Sequence, residues 1–516
     1  MDFKIERSFL DRAIGILSPR WEFDRLKARA STEFLMRSFD GASKGRGTKN
    51  WSTTSASAQA EISPALSTLR NRSRDLVRNE PYANKGVSAI VSNVVGTGIV
   101  LKVNKPKVRK LWESWANCRD CDYIEQLNFY AIQSLVMRTL VESGEVLIIK
   151  RREADRKNPL RLQVLEPDFI DTMQYGDDII DGIKYDRTTG KVLGYYLFEQ
   201  HPGDSYYQTQ NSLRSRYKSN FVPASEVIHL FRVDRPGQHR GVPWLAPAMI
   251  ALRDLGDYAR AQIVRQKIAA CFVGFMYDTE ASLTQPTDSA GNTIQLTDKF
   301  EPGSWQKLPP GKDIKFGMPP TVGNDFSPYM KLGYQGVAAS LGISYETLTG
   351  DLSQVNFSSG RMGWIEMHRN IESWRWALFI PGFCERVFEW WEEAQFIAGN
   401  INSDKNELIW TAPRREMIDP VKEGQAMKDA IRSGLTSLSD SLRQLGYDPE
   451  QHLKEMAEDN KRLDDLKLTL DSDPRRDVNS NLAAKNEEED STSEDSEEEE
   501  EKNAKNGNQK DANSEE

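Results

Sequence analysis

The pattern of apolar and polar positions is clearest over residues 327–397, and the rest of the chain is read outward from there. Ser327 and Pro328 make a helix start, because Ser can cap free backbone N–H groups and Pro has none to lose in a first turn. An apolar helical period then runs to Leu341 and closes at Gly342. Residues 344–360 (SYETLTGDLSQVNFSSG) lose that period. Beyond them Trp364, Met367, Ile371, Trp374 and Leu378 recur at three- and four-residue steps, which predicts one face of a long helix. Pro381 and Gly382 should kink or break it, since Pro removes a hydrogen bond and collides with the preceding turn. Phe383, Val387, Trp390, Trp391 and Phe396 carry the apolar face onward to a turn at Gly399 and Asn400.

Upstream, residues 66–95 read as helical, with a break at Pro81 and apolar positions at Leu76, Val87, Ile90, Val91 and Val94. Gly96, Thr97 and Gly98 follow a helix and open a strand at 99–103, whereas a phosphate-binding glycine loop follows a strand and opens a helix; the glycines are therefore read as a helix cap. A helix is predicted over 123–142, and β-rich runs over 144–151, 161–165, 182–185, 192–199 and 222–231, with a hairpin turn from Asp186 to Gly190. This order predicts an antiparallel sheet packed beside helices, an α+β fold. Gly241 to Trp244 launch a long helix over 245–271, in which Arg253, Asp254, Asp257, Arg260, Arg265 and Lys267 share the surface with apolar positions. Such a mixed surface suits a helix packed sideways against copies of itself. Residues 274–325 are rich in Gly, Pro, Thr and Asp and carry a predicted hairpin over 305–316; two short helices follow at 420–432 and 438–445, with a turn at 446–449.

Composition changes this picture at the two ends. The chain has 516 residues, room for about two to four domains. Its net charge of −9 misleads: residues 487–516 hold 14 acidic and 3 basic side chains, a net of −11, so the other 486 carry about +2. The tract beyond Pro474 is too polar to bury a core and reads as disordered. Residues 1–60 read as a flexible, basic arm with a candidate helix at 21–36. No apolar run is long enough to span a membrane, the N-terminus lacks the apolar core of a signal peptide, and four cysteines do not make a disulfide scaffold. An intracellular soluble protein is expected. A near-neutral body is not that of a tight DNA binder, which relies on many Lys and Arg contacts to phosphate; it suits a protein that lets a polyanion slide past.

Candidate chemistry is sparse. Cys118 and Cys121 invite a metal or redox reading, but no second Cys pair accompanies them and structural zinc needs four ligands. Glu166, Asp168 and Asp171 could hold Mg²⁺ for a nuclease, against the plainer reading of a turn after a strand. His229 reads as a packed core residue, with His239 in a Gly/Pro loop. There is no Gly-x-x-x-x-Gly-Lys loop and no recognisable Ser/His/Asp set, so no catalytic residue, metal or cofactor is expected. The loop at 344–360 is longer than most helix connections, and such loops are functional or disordered. Its Gln354, Asn356, Ser358 and Ser359, with Asp351 and Arg361 flanking, are hydrogen-bonding and nearly uncharged.

That loop between its two helices, GISYETLTGDLSQVNFSSGRMGWIE, resembles the tunnel-loop region of lambda-family phage portal proteins. Further segments agree in the same order over roughly residues 10–450: Ser18-Pro19-Arg20-Trp21, the run from Ser73 through Arg78-Asn79-Glu80-Pro81-Tyr82-Ala83, then Asn93 to Ile99, Leu165-Glu166-Pro167-Asp168, Gly182-Ile183 with Tyr195, and Val222-Pro223-Ala224 with His229. The resemblance implies a portal-type protomer: an N-terminal arm (1–60), an α+β wing (61–243), a stem helix (244–273), a clip (274–325), a second stem helix (326–343), a tunnel loop (344–360), a long kinked wing helix (361–410), a helical crown (411–474) and an acidic tail (475–516). It implies a dodecameric ring at one capsid vertex of the virion, assembled in the bacterial cytoplasm. DNA is driven through that ring by the terminase large subunit and later ejected. The major capsid protein or scaffold and the head-completion connector proteins dock on it, and no membrane is involved. Asp351, Gln354, Asn356, Ser358, Ser359 and Arg361 would face the DNA. Two other readings are a metal-dependent nuclease using the three carboxylates and a monomeric binding module. A divalent-ion-dependent nicking assay and a sizing measurement separate them from a ring.

Overall fold

The computed structural model describes residues 53–153, 158–204, 218–270, 274–278, 312–316, 326–402, 406–413 and 419–468. The expectations for the arm through residue 52, its helix at 21–36 and the tail past 474 lie outside them. The chain divides into two units, residues 1–65 with 234–239, and residues 66–233 with 240–516. In the first, Arg235 pairs with Glu61 at 2.5 Å and the His239 N–H donates to Gln59 at 3.1 Å. The second holds the core.

Two helices open the structure, α1 (Ala58–Asn79) and α2 (Pro81–Val94), with Pro81 in the first turn of α2. Gly96 and Gly98 both take positive φ, as a cap requires. Strand β1 (Val100–Val103), helix α3 (Pro106–Asn117) and helix α4 (Phe129–Ser143) follow. Helix α4 starts six residues later than the apolar period predicts. The Asp122 carboxylate accepts from the N–H groups of Gln126 and Leu127, both at 3.0 Å, and holds that stretch as a loop. Asn128 then caps the helix by accepting from Ala131 at 2.9 Å.

The expected single sheet is two. Strand β3 (Leu160–Leu165) pairs with β2 (Glu145–Arg152), which pairs with β8 (Val227–Phe231); β4 (Ile179–Ile180), β5 (Ile183–Tyr185), β6 (Val192–Phe198) and β7 (Ser219–Pro223) make the other, all antiparallel. The predicted strand over 222–231 is cut by a 3₁₀ turn at Ala224–Glu226, so its halves serve different sheets. This explains the unbroken apolar run in β2. Val146 and Ile148 face the main helical core, while Leu147 and Ile149 face a second core with Ile183, Tyr195, Leu197 and Val227 of the other strands. A strand buried on both faces has no polar alternation to show.

After a short 3₁₀ turn, α5 (Met249–Ala270) runs antiparallel to α6 (Phe326–Leu341), since Tyr258 packs on Phe326 and Tyr329 while Leu255 packs against Gly333. Strand β10 (Lys312–Phe316) pairs with β9 (Gly274–Asp278); the first half of the hairpin predicted over 305–316 lies outside the described residues. A five-residue helix α7 (Tyr345–Thr349) leads into α8 (Phe357–Ser373), a π-helical segment (Trp374–Cys384) and α9 (Glu385–Ile397). Pro381 and Gly382 were expected to kink or break this helix. The wider π turn takes in the proline ring instead, and the helix continues. Trp112 is the hub of the core, with Trp115, Phe129, Phe388 and Trp391 within 5.3 Å, centroid to centroid. Strand β11 (Leu408–Thr411) pairs with β1. Helices α10 (Pro420–Arg432) and α11 (Leu438–Gln444) match the expected pair, and a third, α12 (Pro449–Asp465), was not anticipated. Among the described residues no helix is long and apolar enough to cross a membrane.

Candidate functional site

The stretch 344–360 is less a loop than its sequence suggests. Gly342 closes α6 in the left-handed region, and the Ser344 hydroxyl caps α7 by accepting from the Thr347 N–H at 3.2 Å. Gly350 closes α7. Asn356 and Ser359 then form a reciprocal capping box at the start of α8: Asn356 Oδ1 accepts from the Ser359 N–H at 2.8 Å, and Ser359 Oγ accepts from the Asn356 N–H at 3.2 Å. The free connection is therefore residues 350–356.

Its tip is held from below. Asp351 accepts from the Ser353 N–H at 3.0 Å and from the Tyr345 hydroxyl at 3.3 Å. These hydrogen bonds, the Ser353 ones first, hold its carboxyl below the ordinary range. Gln354 Oε1 accepts from Lys331 Nζ on α6 at 2.8 Å, and the same ammonium stands 5.7 Å from the Tyr345 ring centroid. Sequence pattern gave no reason to pair Lys331 with the loop, 23 residues away. Ser358 and Arg361 are exposed on the first turns of α8. Of the six candidate residues, Asp351, Gln354 and Ser358 thus border the exposed connection, Asn356 and Ser359 spend their polar groups on the cap, and Arg361 turns toward a cavity beside β11.

The three carboxylates do not converge. Asp171 accepts from Ser219 Oγ at 2.6 Å and from Met173 and Gln174. Glu166, Asp168 and His201 bring ligand atoms within 4.8 Å of one another. A cation is already there: Arg74 Nη2 lies 2.6 Å from Asp168 and 3.4 Å from Glu166. Burial would raise the Asp168 carboxyl, but Arg70 and Arg74 outweigh it and hold it below its ordinary range. Cys121 is buried and donates to the carbonyls of Cys118 and Leu127, and burial pushes its thiol up, away from a metal-binding thiolate.

Sequence reasoning missed a heavily bonded buried group, Glu145. Fully buried at the start of β2, it accepts from Arg240 at 2.7 Å, Arg70 at 3.1 Å, the Gly241 N–H at 2.9 Å, and shares a hydrogen with His229 at 2.9 Å. Burial alone would raise its carboxyl; Arg240 and His229 more than offset that and hold it well below the carboxylate range. One carboxylate thereby ties α1, β2, β8 and the approach to α5. Gly144 beside it takes φ +86, and a Cβ there would stand 2.3 Å from the Val242 carbonyl carbon.

A family profile described as "Phage portal protein, lambda family" matches residues 44–375. The chain belongs to the lambda family of phage portal proteins, the proteins of the ring at one capsid vertex. It is 27% identical over 459 residues to the probable portal protein of Halomonas phage phiHAP-1, covering 83% of this chain and 87% of that one. It is 24% identical over 481 residues to the portal protein of Escherichia phage N15 (80% and 87% covered), and 21% identical to portal protein B of Escherichia phage lambda over 481 residues (80% and 86%). Among solved structures, it is similar to a chain of the native gene transfer agent virion, at TM-score 0.45 and 14% identity, over 74% of this chain and 93% of that one. It is also similar to an HK97-family phage portal protein from Corynebacterium diphtheriae, at TM-score 0.32 and 11% identity, over 69% and 98%.

Proposed function

We propose that twelve copies of this chain form a closed ring whose axial channel is bordered by residues 350–361. Through it the terminase large subunit drives double-stranded DNA inward, and the genome later leaves. The ring acts as a passive conduit, not an enzyme. It is assembled in the bacterial cytoplasm against the capsid protein or scaffold and later receives head-completion proteins. On this reading residues 61–243 form the wing, α5 and α6 the stem, 274–325 the clip, and 411–474 the crown. The stem assignment draws support from the apolar side chains that this helix pair leaves uncovered, Ile250 at 73% and Leu332 at 70% exposure among them. Side chains of that kind mark a surface that another chain covers.

The observation that carries the channel reading is the braced connection itself, a short, exposed tip between two capped helices with Asp351 as its one charge and Gln354 at its end. Neutral hydrogen-bonding groups can follow a phosphate backbone through easily exchanged contacts, whereas added Lys or Arg would gain counterion-release free energy and hold the DNA. Gln354→Ala with Ser358→Ala should leave rings intact and lower packaging or retention of full-length DNA. Gln354→Lys with Ser358→Lys should slow translocation, more so at low salt, where screening is weak. Packaging rates that are unchanged in both variants across a salt series would remove this connection from the DNA path.

A further inference from the structure

The connection between α7 and α8 has no cation of its own. Residues 344–360 hold two carboxylates, Glu346 and Asp351, and neither lysine nor arginine. A polyanion passing a ring of such borders would meet like charge. The cation is lent by another element. Lys331 stands on α6, and its Nζ donates to Gln354 Oε1 at 2.8 Å while lying 5.7 Å from the Tyr345 ring centroid. Among the described residues no carboxylate pairs with this ammonium. Asp351 spends its oxygens on the Ser353 N–H and the Tyr345 hydroxyl, and the lysine charge reaches it only through space.

Both partners of the ammonium are weak for a full positive charge. An amide oxygen is a neutral acceptor, and a ring face adds little where water has access. Lys331 is only partly buried and Gln354 is exposed. A phosphate oxygen is the stronger acceptor, since it is itself ionised, and its neutralisation releases a condensed counterion. Side-chain torsions alone separate the two partners, because the ammonium sits on a flexible four-carbon stem.

We propose that Lys331 is the phosphate-contacting cation of the channel border. In the empty ring Gln354 holds it. Passing duplex draws the ammonium to a backbone phosphate, and the tip, released from α6, follows the DNA. The contact stays weak because Gln354 competes for the same donor at every step. A lysine placed at position 354 itself would face no such competitor and would hold the DNA.

This rests on the reading of residues 350–361 as the channel border, and the test keeps the two apart. Packaging of duplex DNA is stalled in particles carrying Lys331→Gln, which keeps an amide without the charge, or Lys331→Arg, which keeps the charge. Retention of the stalled DNA is followed against salt on logarithmic axes. Lys331→Gln should flatten the slope by about 0.9 for each Lys331 engaged, with Lys331→Arg at the wild-type slope. Gln354→Lys with Ser358→Lys should steepen it, which checks the channel reading alone. A slope unchanged in Lys331→Gln but steeper in that pair overturns the proposal and leaves the channel standing; no change in any variant overturns both. Acetylation of lysines in wild-type particles, mapped by mass spectrometry, gives a second measure that needs no variant. Lys331 should be protected when DNA fills the channel, and less so as salt rises; equal modification in empty and filled rings overturns the contact.

Discussion

Glu145→Gln is the most informative single perturbation of the subunit. The side chains are nearly the same size, so packing is preserved and only the charge and one acceptor change. Arg240 has no exposed side-chain surface and Arg70 only 6%, so both would keep a buried positive charge facing a neutral amide. The amide's NH₂ would also point at groups that themselves donate, among them the Gly241 N–H, now 2.9 Å from Oε2. Removing one partner of a buried pair costs about 3–5 kcal/mol, a large share of the 5–15 kcal/mol or so that holds a typical domain together. Unfolding of the full chain in urea at neutral pH, followed by tryptophan fluorescence, should show that loss. It should persist in molar salt, since buried charges are screened little. Adding Arg240→Met should recover part of it, because an apolar pair of similar volume often replaces a buried ion pair without cost. The pH profile follows from the depressed carboxyl. A carboxylate whose folded pKa lies below its unfolded one contributes stability that is present above the unfolded value of about 4.5 and lost only as pH falls through the folded value. The wild-type advantage should therefore be flat from pH 5 to 8. A cost under about 0.5 kcal/mol, the size of an ordinary surface change, would refute the account of Glu145 as the buried anchor.

Three further outcomes follow from particular contacts. Asn356→Ala should cost about 1 kcal/mol of subunit stability in the same urea assay, with Asn356→Asp close to wild type, because the side chain caps α8; a packaging defect with unchanged stability would make it a DNA contact. Glu80, buried where Gly256 of α5 approaches it, has its carboxyl raised above 4.5, by burial first, with Arg260 pulling the other way. A raised carboxyl contributes stability below its unfolded value that is lost as pH rises through the folded one, so Glu80→Gln should be the more stable form at neutral pH and the gap should close toward pH 4; a gap independent of pH would exclude this. Removing residues from Asn486 onward, the strongly acidic end of the chain, should leave ring formation unchanged in sedimentation, and failure to assemble would move the boundary of the folded part.

The sequence by itself determined a good deal, wherever local chemistry decides. The helices from Ser327 to Leu341 and from Pro420 to Arg432 were legible because Ser, Asp, Pro and Gly act within a turn of where they stand. So was the turn at Asp186, whose carbonyl accepts from the Gly190 N–H at 2.8 Å, and so was the family, through short motifs in one order. Tertiary structure decided what depends on distant partners. The split of residues 222–231 between two sheets was hidden, because a strand's sheet is set by its neighbours. The survival of the long helix through Pro381 was hidden too, because a π turn follows from packing on both sides of it. Within the candidate site, the polar character of the connection was readable, but the use of each group was not. Asn356 and Ser359 look alike as caps or contacts until the backbone N–H groups are in place. Lys331 enters only when α6 folds back beside Gln354, and Glu145 counts for nothing in a list of residues until burial joins it to Arg70, His229 and Arg240 across 75 to 95 positions of chain. A charge in water is cheap and ambiguous; the same charge without water must be matched, and only the folded chain shows by what.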